Sequence, residues 1–228
     1  MKIILIGHKG MLGTILYEKL LSKGASSLSD AELLAILLRI GTKGKTAIDL
    51  ARDLLITVGG LRQLMESEQE ILCQHSGIGV AKYVQIKAAL ELGRRHLHQN
   101  LGHKDVLKNS AETKQYLIAC LRHHQQEIFA CLFLNSHNQI IAYEEMFYGT
   151  IDSSVVHPRE VVKRTLSNNA AGVIFAHNHP SGITDPSISD KKLTKRLIKS
   201  LALIDVHVFD HVIVGDCRVF SFAENELM

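Results

Sequence analysis

The chain has 228 residues, 46% hydrophobic and 21% charged, an ordinary globular composition for one large domain or two small ones that excludes a disordered tail. No apolar run approaches the ~18 residues of a membrane span, and the opening MKIILIG carries no secretory cleavage pattern. The net charge of +3 is unevenly spread: residues 1–104 hold 14 Lys and Arg against 9 Asp and Glu, and residues 105–228 hold 12 against 14, which suggests two modules with different partners.

Residues 1–16 read as a strand followed by Gly7, Gly10 and Gly13, like the opening of a dinucleotide-binding reductase. The sequence beyond turns all-helical, so such a pocket would have no walls, and the segment reads as a divergent leader without a cofactor. Ser29-Asp30-Ala31-Glu32 is a capping box ahead of the helical run AELLAILLRI. A second helix covers residues 45–58 and stops at Gly59-Gly60. Ser67 to Glu70 reads as another capping box, opening a short helix. After Gly77-Ile78-Gly79, VAKYVQIKAALELGRRHL is strongly helical, which makes residues 17–98 a helical domain. The periodicity then fails, and residues 99–108 read as a linker.

From residue 109 the pattern alternates. A helix from Ser110 precedes two strands, 127–135 and 139–147, joined by the turn Ser136-His137-Asn138. A helix opens at Pro158, AGVIFAH (171–177) is a buried-type strand, 189–203 is a basic amphipathic helix, and VHVFDHVIV with RVFSF makes a closing hairpin. The fold class expected is α+β (mixed α/β): a helical N-terminal domain followed by an α/β sandwich over 109–228.

Chemistry concentrates in His177-Asn178-His179-Pro180-Ser181-Gly182 and Ser187-Ile188-Ser189-Asp190. Two histidines at i and i+2 just past a strand can turn toward one point, and Asp190 can add an oxygen from the start of the next helix. Two imidazoles and a carboxylate leave a fourth tetrahedral position for water, the pattern of a catalytic rather than a structural zinc site. The four cysteines (Cys73, Cys120, Cys131 and Cys217) are scattered without a C-x-x-C pair. They make no zinc site or disulfide framework and suit a reducing cytoplasm.

The pattern H-x-H-P-x6-S-x-x-D resembles the JAMM (MPN+) metallopeptidase signature. With EEMFYGT (144–150), PREVVKRTLSNNAAGVIFAHNHPSG (158–182) and LALIDVHVFDHVIVG (201–215), the chain is similar to the bacterial RadC family over about residues 17–228. That resemblance implies an MPN fold for the back half, of cytidine-deaminase-like architecture, with His177, His179 and Asp190 holding one zinc ion. It implies a metal-dependent hydrolase of the peptidase or isopeptidase type, acting on a peptide or protein substrate, and it carries a DNA-repair label. Family enzymes also use an upstream glutamate as general base. Glu127, at the junction of helix and strand, is the first choice, with Glu144 and Glu145 as rivals. Ser187 stands at the motif's serine position, where a hydroxyl stabilises an oxyanion. The competing role for it is a helix N-cap, for which Ser189 is the more obvious residue.

Ser76 to Lys82 is a second constellation. A G-x-G turn at the start of a helix presents backbone N–H groups to a phosphate, and the stretch resembles a helix-hairpin-helix motif. Gly77, Gly79 and Lys82, with Lys87, Arg94 and Arg95 nearby, give an expectation of weak, non-specific DNA binding; the alternative is that the glycines only permit tight packing. The leading expectation is therefore a zinc-dependent hydrolase, and the rival is a DNA-associated binding protein whose MPN domain is a scaffold.

Overall fold

The computed structural model describes residues 11–101, 104–149, 156–216 and 218–228. Gly7, Gly10 and Cys217 lie outside the described residues, and Gly13 lies inside helix α1 (Met11–Lys23). The chain divides into two compact units, one ending at Leu92 and the other running from Gly93 to Met228. Among the described residues no helix is long and apolar enough to cross a membrane.

The first unit is helical: α1, α2 (Asp30–Leu38), α3 (Ala47–Val58), α4 (Leu61–Glu66), α5 (Gln69–Leu72) and the start of α6 (Val80–Leu101). The capping box at Ser29 and Glu32 forms as read, and a second one forms at Thr46 and Asp49. Ser67 does not cap a helix start. Its hydroxyl donates back to the Gln63 carbonyl at the end of α4, and Glu68 occupies the N-cap of α5. Leu34, Leu38, Leu50, Leu54, Leu64, Leu72 and Ile86 fill the core, and Leu16 is buried with them although it lies in the segment read as a leader.

In the second unit α7 (Ser110–Leu121) is followed by β1 (Ile128–Leu134), β2 (Ile140–Tyr148), α8 (Pro158–Ser167), β3 (Gly172–Asn178), α9 (Ile188–Ala202), β4 (His207–Val214) and β5 (Val219–Ser221). The strands form one sheet in the order β2-β1-β3-β4-β5. β3 and β4 are parallel, which requires the crossover through α9; the other pairings are antiparallel. β1 and β3 are central and buried along their whole length, so they read as continuous apolar runs rather than alternating ones.

Each face of the sheet is covered by helix. Ala130, Leu132, Ile174 and Ala176 pack with Tyr116, Leu117 and Leu121 of α7, while Phe129, Phe133, Val173 and Phe175 pack with Val161 of α8 and Leu197 and Leu201 of α9. The residues expected as a linker are not a free tether. α6 continues to Leu101, Leu101 and Val106 are buried in the α7-side core, and the Val106 N–H donates to the Asn138 carbonyl at 3.0 Å. Two apolar anchors in so polar a stretch are too sparse to register as a period.

Candidate metal centre

β3 carries His177 to the C-terminal ends of the parallel pair, the end at which α/β sheets present ligand sites. His177 shares a face with Phe175 and Val173, toward α9, and is only 1% exposed. Just past the strand, the His179 N–H donates to the Val214 carbonyl (2.9 Å), and the Gly182 N–H closes a turn on the His179 carbonyl (2.9 Å). Asp190 is the third residue of α9. Its N–H donates to Ser187 Oγ (3.1 Å) and its Oδ2 accepts from the Ser187 N–H (2.8 Å), a complete capping box that aims the carboxylate back at the histidines.

Three donor atoms converge. His177 Nε2 lies 3.0 Å from His179 Nε2 and 3.4 Å from Asp190 Oδ1, and His179 Nε2 lies 3.7 Å from Asp190 Oδ2. Ligands ~2.0–2.1 Å from zinc in a tetrahedron are about 3.3–3.4 Å apart, so these separations are those of ligand edges. The Nδ1 atoms are engaged elsewhere: that of His179 donates to the Ile183 carbonyl (2.6 Å), and that of His177 lies 2.8 Å from His211 Nε2. Two ring nitrogens and a carboxylate facing one another could hold a cation. Among the described residues, this is the one group of three or more such side chains able to hold a metal.

Burial pulls the His177 imidazole down to about 4, offset in part by Asp190, and holds His211 well below its ordinary value. Both rings are thus neutral in the fold at pH 6, whereas in the unfolded chain they take up protons near 6.5. The unfolded chain binds more protons between those limits, so stability is lost as pH falls from 6.5 to 4. In metal-free protein the melting temperature is expected to drop across that window; a flat profile would contradict the burial argument.

The three glutamates separate by position. Phe129 of β1 pairs with His177 of β3 at the end of the ladder; were that antiparallel register continued two residues further, Glu127 would stand level with His179. Strand alternation extended one residue ahead of β1 would put Glu127 on the Phe129 side, the side of the histidines. Glu145 pairs with Ala130 on the opposite face, where His124, Tyr143 and Tyr148 surround its carboxylate; hydrogen bonding from His124 keeps it below the usual range despite burial. Glu144 is tied to Arg164 (2.9 Å) and the Asn168 amide (2.9 Å). The approach to β1 is clamped by Asn178, 2% exposed. Its Oδ1 accepts from the Ile128 N–H (2.7 Å), and its Nδ2 donates to the carbonyls of His124 (3.1 Å) and Gln126 (3.0 Å). Ser187 is the N-cap of α9, and Ser189, the expected competitor, lies within the helix. Because the Ser187 oxygen accepts the capping bond, its hydroxyl proton remains available to donate.

In the Gly77–Lys82 turn the two glycines differ. A methyl at Gly77 (φ +89°) would collide with the Thr42 side chain, whereas one at Gly79 would meet nothing within 4 Å. Gly77 is therefore needed for packing and a positive φ. Lys82 turns inward, donating to the carbonyls of Ile40 (2.9 Å) and Gly77 (2.8 Å), and Lys87 donates to the Met65 carbonyl (2.9 Å). Arg94 and Arg95 belong to the second unit. Lys82→Met is expected to destabilise the first unit by about 1–2 kcal/mol, the scale of a charged hydrogen bond in a partly exposed site. Urea unfolding of the full chain measures this; an unchanged midpoint would return Lys82 to the role of a free phosphate contact.

Sequence reading missed Asn178 and His211. The available signal was polarity in buried strands: an asparagine closing β3, and His211 within an otherwise apolar stretch of β4.

The family model described as a RadC-like JAB domain matches residues 107–227, and that described as UPF0758 N-terminal matches residues 16–84. A UPF0758 protein from Nitrosococcus oceani is 54% identical over 211 residues, covering 92% of this chain and 94% of its own length. Those from Cellvibrio japonicus and Saccharophagus degradans are 55% and 56% identical over 207 residues, each covering 91% of this chain and 92% of its own length.

Proposed function

Because this chain belongs to the RadC-like JAB family, we propose that it is a zinc-dependent hydrolase that cleaves an amide bond, peptide or isopeptide. The observation that carries this reading is the convergence of His177 Nε2, His179 Nε2 and the Asp190 carboxylate at separations of 3.0–3.7 Å. Two nitrogens and one oxygen suit zinc among the divalent metals. The ion would supply a water acidic enough to attack at neutral pH and a Lewis acid for the substrate carbonyl.

The protein's own groups do the remaining work. His177, His179 and Asp190 would hold the ion. Glu127, one residue ahead of β1, would take a proton from the attacking water and deliver it to the leaving amine. The Ser187 hydroxyl donates to the carbonyl oxygen as negative charge gathers there, while its oxygen continues to cap α9. Asn178 sets where the Glu127 backbone lies relative to the histidines.

Metal analysis of the full-length protein tests this directly. One zinc per chain is expected, lost in His177→Ala, with hydrolysis of peptide or isopeptide-linked substrates stopped by chelation and restored by zinc. Chelation-resistant turnover, or a chain that takes up no zinc, would overturn the reading. The rival, a DNA-associated protein with the second unit as scaffold, rests on Gly77, Gly79 and Lys82 of the first unit. It predicts duplex binding that weakens steeply with salt, and it gains ground only if binding survives in a chain that takes up no metal.

A further inference from the structure

Behind His177 lies a chain of contacts that ends on the backbone of another of the three proposed ligands. His177 Nδ1 is 2.8 Å from His211 Nε2, and His211 Nδ1 is 2.6 Å from Thr194 Oγ1. Thr194 Oγ1 in turn donates to the Asp190 carbonyl at 2.6 Å. All these groups except the Asp190 side chain's edge are sealed from water: Thr194 and His211 are 0% exposed and His177 is 1% exposed.

The polarity of the chain follows from its far end. A carbonyl oxygen only accepts, so the Thr194 hydroxyl proton is committed to Asp190. Thr194 Oγ1 must then accept from His211, which puts the His211 proton on Nδ1. A neutral imidazole has one N–H, so His211 Nε2 carries a lone pair and accepts from His177 Nδ1–H. That leaves His177 Nε2 bare and pointing at His179 and Asp190. The His211 ring is held in this pose by Phe222, stacked at 4.8 Å, and by the edges of Phe129 (5.7 Å) and Phe175 (5.9 Å).

We propose that Thr194 and His211 are positioning residues: through the ordered bonds from the Asp190 carbonyl to His177 Nδ1, they fix His177 in the tautomer that offers Nε2 to the metal. His179 reaches the same state directly, by donating Nδ1–H to the Ile183 carbonyl. The relay ties the geometry of Asp190's helix to the protonation of His177, so the two ligands are prepared together. The inference deepens the metal-site reading and rests on it for its consequence, though not for the ring polarity itself.

Two measurements on the full chain test it. Long-range proton–nitrogen NMR of metal-free protein should show His211 protonated on Nδ1. Zinc affinity should fall about 10–100-fold in Thr194→Val, the usual effect of losing an outer-shell partner, and recover in Thr194→Ser. Valine is nearly isosteric, and the Asp190 carbonyl keeps its helical N–H partner, so a purely structural role for Thr194 predicts a lowered melting temperature without a change in His211 tautomer. His211 found protonated on Nε2 would overturn the relay however tightly zinc binds, and this holds even if the valine variant fails to fold. Equal zinc affinity in Thr194→Val and wild type would overturn the lock. His211 on Nδ1 in a wild-type chain that takes up no zinc would instead overturn the hydrolase reading and leave the ring polarity standing.

Discussion

Asp190→Ala is expected to lose both its zinc and its turnover, because two imidazoles alone rarely retain the ion. The variant also removes half of the capping box at the start of α9, a cost of about 1 kcal/mol by the usual worth of a cap. Asp190→Asn separates the two effects. Its side-chain oxygen can still accept from the Ser187 N–H, so the helix start survives, while the anionic charge facing His177 and His179 is gone. The expected result is a lowered melting temperature with zinc and hydrolysis both lost in the alanine variant, and, in metal-free protein, near-normal melting with both strongly weakened in the asparagine one. An Asp190→Ala protein that keeps stoichiometric zinc would remove Asp190 from the ligand set.

Glu127→Gln is the complementary case, with metal kept and chemistry lost. Glutamine is nearly isosteric and makes no change to the three ligands, so zinc content should be that of wild type. Without a group to carry the proton from water to amine, turnover should fall by ~10²–10⁴. Glu145→Gln is the control. That carboxylate faces the α7 side with His124, Tyr143 and Tyr148 about it, so its loss should lower stability and leave turnover within a few-fold. Full activity in Glu127→Gln with a dead Glu145→Gln would mean that the register argument is wrong.

The candidate metal ligands were legible because they are local. His177, His179, Ser187 and Asp190 fall in one stretch, and the strand, loop and helix that fold them together are each read from short-range patterns. What was hidden depends on pairing across the sheet. Asn178 meets Ile128 only because β3 lies antiparallel to β1, and His211 meets His177 only because α9 returns the chain to a parallel β4. No spacing rule announces contacts that far apart along the chain. Errors at the local level have local causes. Ser67 carries capping-box chemistry but hydrogen-bonds backward to α4, a competition open to any serine near a helix end. The bond from Lys82 to the Ile40 carbonyl was equally hidden, because that partner lies far back along the chain. The stretch read as a linker hides Leu101 and Val106 among polar residues.

The capping box that aims Asp190 has a consequence for how occupancy would be felt by the backbone. All three proposed ligands fall between residues 177 and 190, so a bound ion would act as a staple across a short loop that is otherwise held by the turn at Gly182, the His179–Ile183 bond and the cap at Ser187. By the chain-entropy estimate for a cross-linked loop of about 15 residues, such a staple is worth about 3 kcal/mol. Since the staple passes through the first turn of α9, local opening of that turn would have to break a ligand bond as well as the cap. Amide hydrogen exchange at Lys191 and Lys192 should therefore slow when zinc is added, whereas exchange in the first unit should not change.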